Sequence, residues 1–122
     1  MEIRRLYELL VLSAPTLSEP EHRALMEDIV RTVQQNGVTV LHQISWGKRL
    51  LAYPIRKHRE GWYSLFYTAA YPSQLVPVEQ WLKLQPQVLR YKFVRVNRAH
   101  LAVLQKQFNL TLPEGVSVAR PK

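Results

Sequence analysis

The stretch that decides the fold is Trp46-Gly47-Lys48-Arg49-Leu50-Leu51-Ala52-Tyr53-Pro54-Ile55-Arg56-Lys57-His58-Arg59-Glu60-Gly61-Trp62-Tyr63-Ser64-Leu65-Phe66-Tyr67-Thr68. Its last part, Trp62 to Thr68, is the most β-prone run in the chain, because aromatic residues suit a pleated, half-buried surface. Its first part is also extended in pattern. Pro54 lacks the N–H that a central strand needs, so this part belongs at a sheet edge. Trp46-Gly47 interrupts an extended segment that starts near Val38, and a glycine there marks a bulge or bend. Arg56 to Gly61 reads as a charged turn. Residues 38–70 are therefore a long β-hairpin with a basic tip.

Working outward, Leu6 to Leu12 is a short β-prone run bounded by Ser13-Ala14-Pro15, and reads as a strand. Ser18 and Glu21 have the spacing of a capping box, and Pro20 is tolerated in a first helical turn. Leu25, Ile29 and Val33 recur every four residues with Met26 and Val30 beside them, which makes one apolar helix face. Asn36-Gly37 ends that helix. Beyond the hairpin, Pro72-Ser73 opens a second helix, with Pro77 in its first turn and Val78, Trp81, Leu82 and Leu84 on its buried side. Val88 to Val96 is a fourth strand, with Leu89, Tyr91 and Phe93 on one face and Arg90, Lys92 and Val94 on the other.

The order β-α-β-β-α-β predicts an α+β, ferredoxin-like domain over residues 1–98. Right-handed crossovers put both helices on one face of a four-stranded antiparallel sheet. The first and third strands are central, and the second and fourth are edges. Residues 99–122 form a C-terminal extension with a short helix, Ala99 to Phe108, and a Pro/Gly-containing tail.

The chain has 122 residues, is 47% apolar and carries a formal net charge of +8. Residues 1–44 hold four basic and six acidic side chains, while 45–59 hold five basic residues and no acid. Residues 90–98 hold another four basic residues and no acid. Clustering of this kind points to a polyanionic partner, most often nucleic acid. The expected RNA contacts are Lys48, Arg49, Arg56, Lys57 and Arg59 on the hairpin, with Arg90, Lys92, Arg95 and Arg98 on and after the fourth strand. Lys and Arg neutralise phosphates and release counterions.

Other chemistry finds little support. The chain has no cysteine, which excludes disulfides, thiol nucleophiles and Cys-ligated metals. His22, His42, His58 and His100 are not spaced as metal ligands, Asp28 is the only Asp, and the four glycines are isolated. No catalytic residues, metal, cofactor or small-molecule substrate are expected. No apolar run reaches the roughly 18 residues of a membrane helix, so no membrane partner is expected. No secretory signal or presequence pattern is visible.

A sheet with helices on one face should alternate apolar and polar residues. Here the central strands are apolar on both. The open face is therefore expected to meet a partner protein, with Tyr7, Leu9, Tyr53, Trp62 and Phe66 as the contact residues. The bland alternative is that the tail folds back over that face.

Gly47-Lys48-Arg49-Leu50-Leu51-Ala52-Tyr53-Pro54-Ile55-Arg56-Lys57, followed by Gly61-Trp62-Tyr63, resembles the signature of bacterial-type small-subunit ribosomal protein number six. Arg5-Leu6-Tyr7-Glu8 is similar to that family's N-terminal motif, and the resemblance covers residues 4–97. It implies a structural protein of the small-subunit platform that pairs with small-subunit protein eighteen, sits among other platform proteins and binds small-subunit ribosomal RNA. By position, Arg5 and Lys57 match basic family residues placed to contact RNA, Arg49 matches a basic position of the signature, and Arg90 lies in the fourth-strand segment where the family also tends to be basic. Leu50 departs from the family, and Arg56 and Arg59 add charge. Diverged, basic versions occur in organelle ribosomes, which leans towards the mitochondrial matrix over a bacterial cytoplasm or plastid.

Two alternatives fit the residues less well. An RNA-recognition-motif module needs a basic-Gly-aromatic-small-aromatic run on its third strand. Glu60-Gly61-Trp62-Tyr63-Ser64 has the wrong charge first and lacks that pattern. An acylphosphatase-like enzyme needs an Arg-bearing phosphate loop, and residues 13–18 contain neither Arg nor Gly.

Overall fold

In the computed structural model, which describes residues 2–113 and 115–118, the centre of the sheet is the antiparallel pair β1 (Arg4–Ser13) and β3 (His58–Ala70). Leu9 stands opposite Phe66, and both are fully buried. β2 (Thr39–Ile55) lies outside β3, and β4 (Val88–Arg95) outside β1, giving the order β2-β3-β1-β4. The first and third strands are thus central, and the Pro54 strand is an edge.

Helices α1 (Glu19–Gln35) and α2 (Pro72–Lys83) pack on the face that carries Leu9, Val11 and Phe66. α1 starts where the capping box predicts. The Ser18 hydroxyl accepts from the Glu21 N–H, and the Glu21 carboxylate accepts from the Ser18 N–H. Leu25, Met26, Ile29 and Val33 point into the core. α2 has Pro72 at its start, so Pro77 falls in the second turn, not the first as expected. The Gln74 side-chain oxygen accepts from the Tyr71 N–H at 2.8 Å, which supports the earlier start. Leu84, expected on the buried side, sits just past the end of α2 and is 78% exposed.

The hairpin turn is shorter than Arg56 to Gly61. Ile55 pairs directly with His58, leaving only Arg56 and Lys57 in the turn. Gly61 lies inside β3 and is buried against β1.

Strand parity corrects the expected partner face. Tyr7, Leu9, Trp62 and Phe66 share the helix side, and all four belong to or pack against the core beneath α1 and α2. Of the five residues expected to meet a protein neighbour, only Tyr53 lies on the other side. The open face instead presents Leu6, Glu8, Leu10 and Leu12 from β1, with Ala69, Tyr67, Leu65 and Tyr63 opposite them on β3.

That face is not bare. α3 (Arg98–Phe108), begun by the Asn97 side chain accepting from the His100 N–H at 2.9 Å, crosses over it. Leu101, Leu104 and Leu110 bury against Leu6, Tyr67 and Val96. His42 stacks on Phe108 at 4.6 Å, and His100 lies 3.5 Å from the Glu8 carboxylate. A two-residue strand, β5 (Val116–Ser117), then pairs parallel with Arg4 and Arg5 of β1. The described part of the tail therefore folds back over one end of the face and does not reach the other.

Gly61 tests the packing between β3 and β1. A Cβ there would stand 2.9 Å from the Ser13 carbonyl and 2.7 Å from Leu12 Cδ1. Backbone cannot yield as a flexible side chain can. Gly61→Ala should therefore lose about 1–3 kcal/mol, the usual cost of overpacking. A lower urea midpoint at unchanged slope would report it, and an unchanged midpoint would contradict this packing.

Candidate nucleic-acid interface

The basic clusters lie on opposite edge strands, yet the backbone brings parts of them together. Leu50 pairs with Glu60 and Ile55 with His58, so β2 takes five steps where β3 takes two. The three extra residues lift Leu51 to Pro54 out of the ladder as an arch. Leu51 and Ile55 then pack on Leu12, Ala14 and Leu89. This leans the hairpin across the end of β1 towards β4. Two hydrogen bonds close the gap: Arg90 donates to the Tyr53 hydroxyl, and Arg56 donates to the Pro86 carbonyl at 3.4 Å.

The tip itself is an unusual place for two cations. Arg56 and Lys57 have φ of 49° and 68°, the left-handed region. A two-residue hairpin with positive φ at both positions is a type I′ turn, which favours Asn-Gly because side chains are strained there. Local strain of this kind tends to persist where the side chains are needed. Arg59 lies beside the arch with Leu51 and Tyr53. Arg56, Lys57, Arg59, Arg90 and Lys92 thus form one exposed basic end, and Arg49 continues it along β2.

The remaining expected contacts lie elsewhere. Lys48 is on the helix side, its Nζ 5.2 Å from the centre of the Trp62 ring. Trp62 is held in turn by a 3.2 Å hydrogen bond to the Leu17 carbonyl and by His22 stacked at 4.4 Å. Arg95 stands opposite Tyr7, and Arg5 opposite Ala70, at the far end of the sheet. Arg98 opens α3 nearby. Arg4, which the sequence reading did not select, joins that far group and donates to the Thr39 hydroxyl. Its place beside Arg5 at the start of β1 was the available signal.

None of the ten expected basic contacts is neutralised by a carboxylate among the described residues; the ion pairs there use Arg23, Arg31 and His100. Unpaired exposed cations remain available to an outside anion. The aromatic residues behave differently. Tyr67 is buried beneath α3, and burial, reinforced by the Glu8 carboxylate, raises its hydroxyl pKa far above the usual value. Among the described residues, Tyr53, 57% exposed, offers a ring to solvent at the basic end, and Trp46, 51% exposed, does so beside Arg49.

Between the arch and β4 lies a cleft of about 210 Å³, lined by Leu10, Leu12, Leu51, Tyr53, Tyr63 and Tyr91 with Arg90 and Lys92 among its walls. The sequence reading missed it. Its floor was legible in the second apolar parity of β1, but the arch that walls it was not.

Comparison with known proteins follows the same outline. Residues 6–95 match the family model described as Ribosomal protein S6. The small ribosomal subunit protein bS6 of Dictyoglomus turgidum is 40% identical over 87 residues, covering 71% of this chain and 90% of that protein. Its counterpart in Symbiobacterium thermophilum is 37% identical over 91 residues, covering 75% and 96%. The crystal structure of 30S ribosomal protein S6 from Thermotoga maritima superposes with a TM-score of 0.75 at 24% identity, covering 87% of this chain and 98% of that one. That likeness speaks for the shared fold.

Two predictions come from the local geometry. Replacing the tip by Arg56→Asn with Lys57→Gly should stabilise the domain by about 1 kcal/mol, since it relieves left-handed strain; chemical denaturation measures it, and a loss of stability would contradict the turn assignment. His22 is buried, hydrogen-bonded to Ser64 at 3.3 Å, and burial lowers its pKa below 6.5. The unfolded chain then binds a proton that the folded chain resists. Stability from this residue is complete above the unfolded value and is lost as pH falls through it. The urea midpoint should fall between about pH 7.5 and 5.5, around the ordinary His value, and the fall should be shallower in His22→Gln. Equal slopes in the two proteins would exclude His22 as the cause.

Proposed function

The chain belongs to the ribosomal protein S6 family, and we propose that it binds small-subunit ribosomal RNA through the basic end of its sheet, beside small-subunit protein eighteen in the platform. As a family member it is a structural component of the small ribosomal subunit. One observation carries the RNA reading. Arg56, Lys57, Arg59, Arg90 and Lys92 come from opposite edges, converge on one exposed end and have no carboxylate partner among the described residues. Lys and Arg at such density bind phosphate oxygens, Arg in a bidentate manner.

The arrangement does not suit a single-strand stacking module. Such a module displays aromatic rings on its open sheet face. Here Trp62 faces the helices, and Tyr67 is covered by α3. Contact through backbone phosphates at the hairpin end fits better than base stacking on the sheet. The ribosome is the location that family membership supports. The relatives compared above are bacterial, so the lean towards a mitochondrial ribosome rests on the basic excess alone.

Co-sedimentation with small ribosomal subunits across a salt series tests the proposal. Changing Arg56, Lys57 and Arg59 together to Ala removes up to three phosphate contacts. The slope of log affinity against log salt should flatten by about 2 to 3, because each contact contributes nearly one. Circular dichroism should show the variant folded. An unchanged slope would overturn the basic end as the RNA contact.

A further inference from the structure

The reading above leaves open what a protein neighbour would grip, and this inference rests on there being one. We propose that the cleft between the arch and β4 takes a single large apolar side chain of an extended partner segment, with an acidic residue directly beside it. The cleft is the part of the open face that α3 and β5 leave uncovered. Its floor is Leu10 and Leu12, and its walls are Leu51, Ile55 and the rings of Tyr53, Tyr63 and Tyr91, so the occupant is apolar. A volume of about 210 Å³ has room for one such side chain and not for a helix face. Arg90 and Lys92 stand at its rim, both exposed, and no acidic residue lines it. The complementary neighbour is a carboxylate.

A nucleobase fits less well. Base readers need donors and acceptors for the base edges as well as rings for stacking. The floor here is aliphatic, and the Tyr53 hydroxyl already receives a hydrogen bond from Arg90. The cleft lies between α3 at one end of the face and the curled hairpin at the other.

The test uses the full chain and short blocked peptides, followed by methyl NMR. Gly-Asp-Phe-Asp-Gly should shift the methyls of Leu10, Leu12 and Leu51 in a saturable way at about millimolar concentration, as expected for so small a ligand. Replacing its Phe by Ala should remove the shifts. Replacing its acids by Lys should weaken binding about tenfold, and so should Arg90→Glu with Lys92→Glu in the protein. Leu10→Lys should abolish it; should that variant unfold, the rim variant, altered only at exposed positions, decides the matter. Absence of shifts, equal binding of the Lys peptide, or stronger shifts with oligouridylate would overturn the proposal. Sedimentation of the unaltered chain with small subunits is scored separately. It judges the ribosomal reading, while the peptide shifts judge the cleft, so either can fail alone.

Discussion

Everything in this molecule hangs on the register of β1 against β3. Leu9 lies opposite Phe66, and a strand's side chains alternate with a period of two. That single pairing sends Tyr7, Val11 and Trp62 to the helices and Leu6, Leu10, Tyr63 and Tyr67 to the other side. A slip by one residue would exchange the two sets. The slip would place Glu8 beneath α1 and α2, which no partner there could neutralise at low cost. Glu8 therefore supports the register that the apolar residues set.

Once the register is set, the edges decide the function. An edge strand is free to depart from the ladder because only one neighbour constrains it. β2 uses that freedom to insert residues before its turn, and the arch swings Arg56 towards the start of β4. A regular hairpin of the same composition would leave the two basic segments on opposite edges of the sheet. The apolar contacts of Leu51 and Ile55 with Leu12 and Leu89 hold the arch down. Hydrophobic burial here positions charge, and the charges themselves contribute little to holding the fold.

The order of elements was legible in the sequence because each signal was local: the Ser18–Glu21 cap, the Asn36-Gly37 stop, and Pro54 as an edge marker. The start of α2 was legible too, though not the depth of Pro77 within it. The partner face was read on the wrong side. Apolarity on both faces removes the alternation that tells them apart, so only the pairing partner of each residue assigns its side. The convergence of the basic clusters was out of reach for the same reason. It depends on a mismatch in step count between β2 and β3, and no single residue announces that. Pro54 and the left-handed Arg56-Lys57 turn show where the irregularity falls only after the register is known.

The C-terminal segment answers a difficulty that the core sequence creates. Leu6, Ile44 and Tyr67 form an apolar surface with no helix of the βαββαβ unit to cover it. Such a surface exposed in water invites association. The family match ends at residue 95, and α3 begins at Arg98, so the cover is appended to the matched region and not drawn from it. Ordering those residues costs conformational entropy, which Leu101, Leu104 and Leu110 offset by burial on a face already apolar. Among the described residues the cover lies over Leu6 and Tyr67 and not over Leu10 and Tyr63. That second stretch of the face is where apolar walls and basic residues lie side by side.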